Sequence, residues 1–300
     1  MPLTYAPTAR VLDADPPLPD GTPSGYAAWT SMLDAKQYIR AGLAGLLVWE
    51  GTMLVSGTAL LPFIQIGPIT AVSLYSSTTT GWHTFSSGVV NLGVGNIEGA
   101  PGTLALNTWY YVYVYATPGG SPTLGYEIST FPPHAAGVIG YKERYKQGQT
   151  NNYLLLGSFR TNGAGNPYPL VKRAGVCTYA IGHGAAGATG LPLITSAVYA
   201  ATTTLPNFIP PHANAVDVMV YGIANGAAIG SVQVQPAYGF GAGTYYLGVG
   251  VAGTPDTLAT WRIPLLLQGD VVAARQNLQA VCLSGGVIPT CSITVAGWPE

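Results

Sequence analysis

The spacing of apolar residues changes once along the chain, from a helical period near the N-terminus to a strand-like period afterwards. Between Trp29 and Leu46 the apolar residues recur mostly at spacings of three, four and six or seven, with polar residues between them. This spacing gives a helix one apolar face and predicts a single amphipathic α-helix. After it, short runs rich in β-branched and aromatic residues alternate with Gly and Pro, which predicts strands joined by turns.

The predicted strands are short and frequently interrupted. The clearest is Tyr110–Tyr115, which reads YYVYVY between two groups of turn residues and is expected to be packed on both faces. Short strands of this kind are typical of β-sandwich domains. Further runs lie at residues 46–55, 69–75, 84–94, 124–129, 153–160, 168–179, 216–221, 231–234, 245–251, 259–264, 280–283 and 292–295.

The chain of 300 residues is long enough for two domains, each with its own core. Residues 182–190 read GHGAAGATG and consist mainly of side chains too small to build a core, so we predict a hinge there. The expected fold is all-β, with two jelly-roll-like β-sandwich domains after an extended arm and one short α-helix. The predicted division is 1–45 for the arm and helix, 46–181 for the first domain, 182–190 for the hinge and 191–300 for the second domain.

Two segments within the first 75 residues are relevant to export or membrane insertion, and neither predicts it. The first residues lack a basic head followed by an apolar segment, so they do not predict a secretory signal. Residues 51–75 are uncharged and long enough to span a bilayer, but Pro62 and Pro68 interrupt them. We therefore expect two buried strands joined by a turn and no membrane insertion.

Charged residues make up 8% of the chain, and the formal net charge is -1. An average soluble protein has about 25% charged residues, so this surface has little electrostatic repulsion between molecules. We expect a homo-oligomer; the alternative is a monomer that tolerates a weakly charged surface. The balanced charge predicts no nucleic-acid partner. The local basic cluster of Lys142, Arg144 and Lys146 is expected to be a solvated loop, with contact to an anionic sugar or membrane surface as the alternative.

No pattern predicts catalytic, cofactor-binding or metal-binding residues, and we expect a protein that is not an enzyme. The acidic residues are scattered, although pairing across strands stays open. His134 and His212 follow Pro-Pro and are expected to satisfy backbone groups or to face solvent. Cys177 lies in an apolar strand, where a thiol stays protonated and inert. Cys282 and Cys291 flank a turn and have a spacing that leaves a disulfide across a hairpin open.

The most informative chemistry is aromatic, because the chain has 19 Tyr and 6 Trp. These rings offer flat apolar faces with a polar tip, which suits core packing, interface contacts and stacking on sugars alike. Aromatic residues in polar or Gly-rich loops are the candidates for ligand contact. The candidates are Trp82, His83, Tyr141, Tyr145, Tyr238, Phe240, Tyr245 and Tyr246.

Several segments together resemble the fibre, decoration and receptor-binding proteins of tailed bacteriophages. The resemblance covers roughly residues 105–300 and consists of strand and turn patterns without a catalytic signature. The segments are TWYYVYVY at 108–115, YEIS at 126–129, YLLLGSFRTNGAG at 153–165, IPPHANAVDVMVY at 209–221, WRIPLLL at 261–267 and ITVAGW at 293–298.

This resemblance implies a trimeric or otherwise symmetric virion component on the particle surface. Residues 1–45 would attach it to other virion proteins, and its β-domains would face the host and contact surface glycans. The chain lacks a heptad or β-helical shaft, so a short fibre or a head or neck decoration fits as well as a tail fibre. The alternatives are a cellular carbohydrate-binding or surface-layer protein and, with less support, a polysaccharide depolymerase.

Overall fold

The computed structural model describes residues 47–49, 51–76, 78–79, 81–133, 146, 153–180, 191–194, 200–204, 208–223, 230–236, 245–249, 257–265, 277–284 and 290–300. These residues form strands and turns, with one short 3-10 turn at Val94–Asn96. The strands are β1 Leu47–Trp49, β2 Met53–Gly57, β3 Pro62–Ile66, β4 Ile69–Ser76, β5 Gly81–Ser87, β6 Val90–Leu92, β7 Trp109–Ala116, β8 Leu124–Ser129, β9 Tyr153–Arg160, β10 Leu170–Arg173, β11 Val176–Tyr179, β12 Leu191–Ile194, β13 Ala200–Thr204, β14 Ala215–Ile223, β15 Gly230–Pro236, β16 Tyr245–Val249, β17 Thr257–Pro264, β18 Asn277–Ser284 and β19 Thr290–Pro299.

The strands form four sheets, and every pair of named strands is antiparallel. The long sheet has the order β17-β14-β19-β11-β10-β2-β3-β6, with β12 also paired to β19. The edge sheet has the order β1-β4-β5, and the aromatic sheet has the order β8-β7-β9. The C-terminal sheet has the order β13-β18-β15-β16. The prediction of an all-β fold is therefore confirmed for the described residues.

Turn residues account for strand boundaries that the hydrophobic pattern did not resolve. The predicted strand 168–179 is a hairpin of β10 and β11, in which Ala174 and Gly175 both have positive φ, 46° and 77°. Two consecutive positive φ angles match the twist of paired antiparallel strands. Likewise Gly51, with φ of 72°, lies between β1 and β2 within the predicted strand 46–55.

One hydrophobic core contains buried residues of all four sheets, with Val234 of β15 and Leu278 of β18 from the C-terminal sheet. Alternate residues of β7 face it, including Val112 and Val114, which are fully buried. Trp298 of β19 is also fully buried, and its ring lies edge-on to those of Trp109 in β7 and Tyr179 in β11. The core therefore lies where one face of the aromatic sheet meets the long sheet.

Strands from the two predicted domains belong to the same long sheet. Before the predicted hinge, Thr178 of β11 pairs with Gly297 of β19, which follows it. Residues 182–190 themselves lie outside the described part of the chain, so the hinge stays a prediction. The same holds for the predicted arm and α-helix, because residues 1–46 are also outside it.

Cys282 and Cys291 do not face each other across a hairpin. Cys282 pairs with Val232 in the C-terminal sheet, whereas Cys291 pairs with Gly222 in the long sheet. The hairpin that would have placed them opposite each other is therefore absent from the described pairing. Sequence spacing suggested it because a Gly-Gly pair stands between the two strands.

Replacement of Gly297 by Ala is expected to destabilise the junction of β11 and β19. A Cβ at this position would collide with the Cys177 carbonyl oxygen and lie 3.1 Å from the Thr178 Cα. We expect a loss of about 1–3 kcal/mol in the free energy of unfolding, measured by urea denaturation. Gly88→Ala is the control, because its Cβ would meet no atom within 4 Å. Equal stability of the two variants would contradict the proposed close approach.

Candidate functional site

Trp82 and His83 lie side by side on β5, the outer strand of the edge sheet. Trp82 is opposite Tyr75 of β4, and the two rings make an edge-to-face contact with centroids 5.6 Å apart. Both side chains are partly exposed. His83 projects from the other face of the strand, where its Nε2 lies 2.6 Å from the Thr79 Oγ1 and its ring lies 6.1 Å from that of Phe85. The pair of Trp82 and Tyr75 is therefore held in place while part of its surface stays open to solvent.

A second turn lies beside the β4–β5 turn. The backbone N–H of Gly119 donates to the Thr78 Oγ1 at 3.3 Å. The hydroxyls of Thr117 and Thr123 are 2.9 Å apart, and the Thr117 backbone N–H donates to the Thr123 carbonyl at 2.8 Å. Hydroxyls and backbone amides thus lie in the two turns next to the aromatic pair, and no charged side chain occurs in residues 75–82 or 117–123. A flat ring flanked by neutral hydrogen-bonding groups suits a neutral polar ligand such as a sugar.

The other candidates for ligand contact are not brought to this site by the described structure. Tyr245 and Tyr246 lie in β16, the outer strand of the C-terminal sheet. The remaining four, Tyr141, Tyr145, Tyr238 and Phe240, lie outside the described residues. Of the eight predicted residues, Trp82 and His83 are therefore those whose side-chain contacts the structure describes.

A row of tyrosines lies on the outer face of the aromatic sheet. The sequence pattern did not show which residues of this strand face outwards and which face the core. Tyr111 and Tyr113 are buried on the face opposite Val112, and Tyr113 donates its hydroxyl to the Phe131 carbonyl at 2.9 Å. Tyr115 stacks on Tyr153 with ring centroids 4.8 Å apart. The prediction that this strand is packed on both faces is confirmed.

Lys146 is buried between two carboxylates, which corrects its prediction as part of a solvated loop. Its Nζ lies 2.8 Å from Glu98 and 2.7 Å from Glu127, and 4.9 Å from the Tyr153 ring centroid. Ser129 donates its hydroxyl to Glu98 as well. A single amine in a Tyr-rich segment gave no sign of its two acidic partners, Glu98 in the turn after Val94–Asn96 and Glu127 on β8.

The Glu98 carboxylate beside Lys146 is poorly suited to acid catalysis. Burial raises the pKa of Glu98, but the hydrogen bonds from Lys146 and Ser129 and the Lys146 charge outweigh it, so the net pKa is lowered. Glycosidases of the two-carboxylate type need one acid that stays protonated, with a raised pKa. Burial, followed by the negative charge of Glu127, raises the pKa of Tyr153 to about 12, so its hydroxyl stays protonated.

The second charged cluster surrounds the buried carboxylate of Glu300. One oxygen accepts hydrogen bonds from Ser158 Oγ at 2.6 Å and His212 Nε2 at 3.0 Å. The other accepts from Lys172 Nζ at 2.9 Å and Cys177 Sγ at 3.2 Å. Because a carboxylate oxygen only accepts, His212 Nε2 has the proton. The prediction that His212 satisfies backbone groups or faces solvent was therefore wrong.

Four separate parts of the chain supply the donors to Glu300. Ser158 lies on β9, Lys172 on β10, Cys177 on β11 and His212 in the segment before β14. Burial raises the pKa of the Glu300 carboxyl, but the Lys172 charge and the hydrogen bond and charge of His212 outweigh it and hold the pKa well below its usual range. The carboxylate therefore links the aromatic sheet to the long sheet as an anion at neutral pH.

Nucleophilic chemistry at this cluster is not supported. Burial and the nearby Glu300 charge raise the pKa of the Cys177 thiol well above its usual value. Cys177 is buried in β11, as predicted, and its raised pKa favours the protonated thiol. Burial also raises the pKa of Tyr111, with a smaller effect from Glu300. We interpret the cluster as structural, because its charged groups neutralise one another inside the fold.

Neither cluster was predicted, although one signal in the sequence pointed towards the second. In a chain with so few charges, Lys172 and Glu300 belong to or directly follow strand-forming segments rather than turns. Buried charges are usually paired, so each of them implied an opposite charge elsewhere in the fold. The spacing of 128 residues between them gave no means of identifying the partner.

Comparisons with known proteins identify no family. No family model matches the chain, and no curated protein matches it. A Bacillus thuringiensis Cry1Da tryptic core variant is a solved structure with weak similarity, at 9% identity over 87% of this chain and a TM-score of 0.22. The chain spans about half, 54%, of that structure. The N-terminal CBM22-1-CBM22-2 tandem domain of Paenibacillus barcinonensis Xyn10C is 11% identical over 85% of this chain and 95% of that one, with a TM-score of 0.19.

Two further observations apply to the described part of the chain. It contains no group of three or more His, Cys, Asp or Glu side chains placed to hold a metal ion. It also contains no helix that is both long and apolar enough to cross a membrane.

Glu300→Gln is expected to destabilise the protein strongly, because it leaves the Lys172 ammonium buried without its counter-charge. Loss of one partner of a buried pair costs about 3–5 kcal/mol, measurable by urea denaturation. Lys172→Met should be similarly harmful, whereas the double variant should recover part of the loss. Asp217→Asn is the control, because its Arg262 partner is exposed and such pairs contribute about 0–1 kcal/mol. Additive losses in the double variant would contradict the pairing.

Acidification is expected to destabilise the protein through the same carboxylate. The folded-state pKa of Glu300 is lowered, so its contribution is complete above its usual pKa of 4.5 and is lost as pH falls below that value. The urea midpoint of the wild type should therefore fall steadily from about pH 4.5 downwards. The double variant Glu300→Gln with Lys172→Met should show a flatter acid limb. Parallel profiles for the two proteins would show that Glu300 is not the titrating group.

Proposed function

We propose that the chain is a structural and adhesive virion subunit, a fibre or decoration protein of a tailed bacteriophage that is not an enzyme and contacts host-surface glycans. The observation that supports it most directly is the partly exposed pair of Trp82 and Tyr75 on the outer hairpin of the edge sheet. The pair belongs to an all-β framework whose buried charges serve packing. We also propose that the sheets form two jelly-roll-like β-sandwich units that share the long sheet, with residues 1–45 attached to other virion proteins.

The geometry of the hairpin favours a weak contact with a neutral sugar. The Trp82 ring is fixed by its edge contact with Tyr75, so little side-chain freedom is lost when a ligand stacks on it. The exposed Thr78 and the hydroxyls of Thr117 and Thr123 in the neighbouring turn offer hydrogen-bonding groups for the sugar hydroxyls. A single stacked ring gives low affinity, which a symmetric particle compensates by presenting many copies.

The scarcity of charge supports a role inside an assembly. With 11 basic and 12 acidic residues in 300, the chain has little charge to keep free monomers apart. Some of that charge is buried, since Lys146, Lys172 and Glu300 are all inside the fold. A subunit covered by neighbours over much of its surface has less need of such repulsion, and a trimer is the arrangement we favour.

Trp82→Ala is expected to weaken glycan binding about 5- to 10-fold, because the loss of one stacked aromatic contact costs on the order of 1 kcal/mol. The measurement is binding of purified protein to an array of bacterial surface polysaccharides. Thr84→Ala is the matched control, since Thr84 lies two residues along the same strand and is exposed. Absence of binding by the wild type, or equal binding by Trp82→Ala, would contradict the adhesive role.

A further inference from the structure

The β2–β3 turn, the loop before β7 and the loop after β9 meet and are joined by hydrogen bonds. The Ala59 carbonyl accepts from the Leu104 backbone N–H at 3.0 Å and from the Thr103 hydroxyl at 3.2 Å. The Ala59 N–H donates to the Asn166 side-chain oxygen at 2.9 Å. The β2–β3 turn is therefore tied to the loop before β7 and to the loop after β9.

Each of these loops is also ordered internally. In the β2–β3 turn, the Thr58 N–H donates to the Leu61 carbonyl and the Leu61 N–H donates to the Thr58 hydroxyl, both at 3.1 Å. In the loop after β9, the Asn162 side-chain oxygen accepts the N–H groups of Ala164 and Asn166 at 2.9 and 3.1 Å. Loops with this many hydrogen bonds hold their side chains in a defined position.

The side chains that these loops present to solvent are large and apolar. Leu60 is 66% exposed, Leu61 77%, Leu106 60% and Phe63, at the start of β3, 40%. We call these four residues the apolar loop end. A Cβ on Gly165 would lie 3.1 Å from the Ala59 Cβ and 3.3 Å from the Leu106 Cδ2, so Leu106 and the β2–β3 turn are neighbours.

No charged residue occurs in the loops that form this surface, at residues 57–63, 99–109 and 161–169. An apolar surface of this kind on a rigid frame is unfavourable in water and marks a contact site in many proteins. Because it has no charge, two copies can approach each other at this surface without like-charge repulsion. A surface that bound a charged partner would need charges of the opposite sign.

We propose that the apolar loop end is the surface through which copies of this chain associate, with the leucines of one copy packing on those of another. This rests on the proposed function as an assembly subunit and names the contact that would build it. It requires no ligand and does not involve the Trp82 hairpin. A contact on the symmetry axis of a trimer brings the same residues of every copy together.

The test is the solution mass of the full chain, measured by light scattering over a dilution series. We expect the wild type to have the mass of two or more chains, each of 31.0 kDa. The double variant Leu61→Glu with Leu106→Glu should have the mass of one chain, because the contact would bring carboxylates of both copies together. Val89→Glu is the matched control, since Val89 is 59% exposed but lies at the opposite end of β3, beside Val90, which pairs with Ile66.

A charge-exchange experiment shows whether the surface contacts its own copy. The double variant Leu61→Lys with Leu106→Lys should also have the mass of one chain, whereas mixing it with the Glu variant should restore association. All substituted side chains are exposed, and circular dichroism checks that each variant is folded.

Three results would overturn the proposal: a wild type that has the mass of one chain at every concentration, a Glu variant that associates like the wild type, or mixed variants that stay apart. The glycan measurement is separate. A Glu variant that has the mass of one chain yet binds glycans through Trp82 when densely immobilised would support both the contact and the adhesive role. A wild type that associates without binding any glycan would support the contact alone.

Discussion

The fold depends on one buried anion. Glu300 accepts hydrogen bonds from β9, β10, β11 and the segment before β14, and these partners come from positions up to 142 residues away in the chain. Burial of a carboxylate is unfavourable unless it is paired and fully hydrogen-bonded, and here both oxygens have two donors. The observed packing of the aromatic sheet on the long sheet brings all four donors to the carboxylate. Trp298, two residues earlier, fills the core beside it.

The same use of charge explains why the surface is so neutral. Lys146 and Lys172 are buried with their acidic partners, so two of the few amines add no charge to the surface. The outside then presents hydroxyls, amides and apolar rings, as at the Trp82 hairpin and at the apolar loop end. Such surfaces interact through stacking and apolar contact rather than through long-range charge. This connects the interior of the protein with its proposed role among neighbouring copies and neutral sugars.

The sequence predicted the strands better than their partners. Residues 124–129 and 153–160 were predicted with the observed bounds of β8 and β9, because aromatic and β-branched runs ended at clear turn residues. The β10–β11 hairpin was missed because its turn, Ala174-Gly175, interrupts the apolar pattern only briefly. The pairing of β11 with β19 spans more than a hundred residues, and no local pattern specifies it. For the same reason Trp82 could be proposed as a contact residue, whereas its Tyr75 partner and both buried ion-pair clusters could not.

Hydrogen exchange of backbone amides tests most directly whether the Glu300 carboxylate unites the fold. If β9, β10, β11 and β19 form one cooperative unit around it, their protected amides should exchange with similar opening free energies. Glu300→Gln should lower the protection of all four strands together, including β9, which lies in another sheet. Exchange of β19 at its own lower opening free energy, with β9–β11 unaffected by the substitution, would contradict the account. The C-terminal strand would then be an independent attachment, and the buried carboxylate would not be what holds the sheets together.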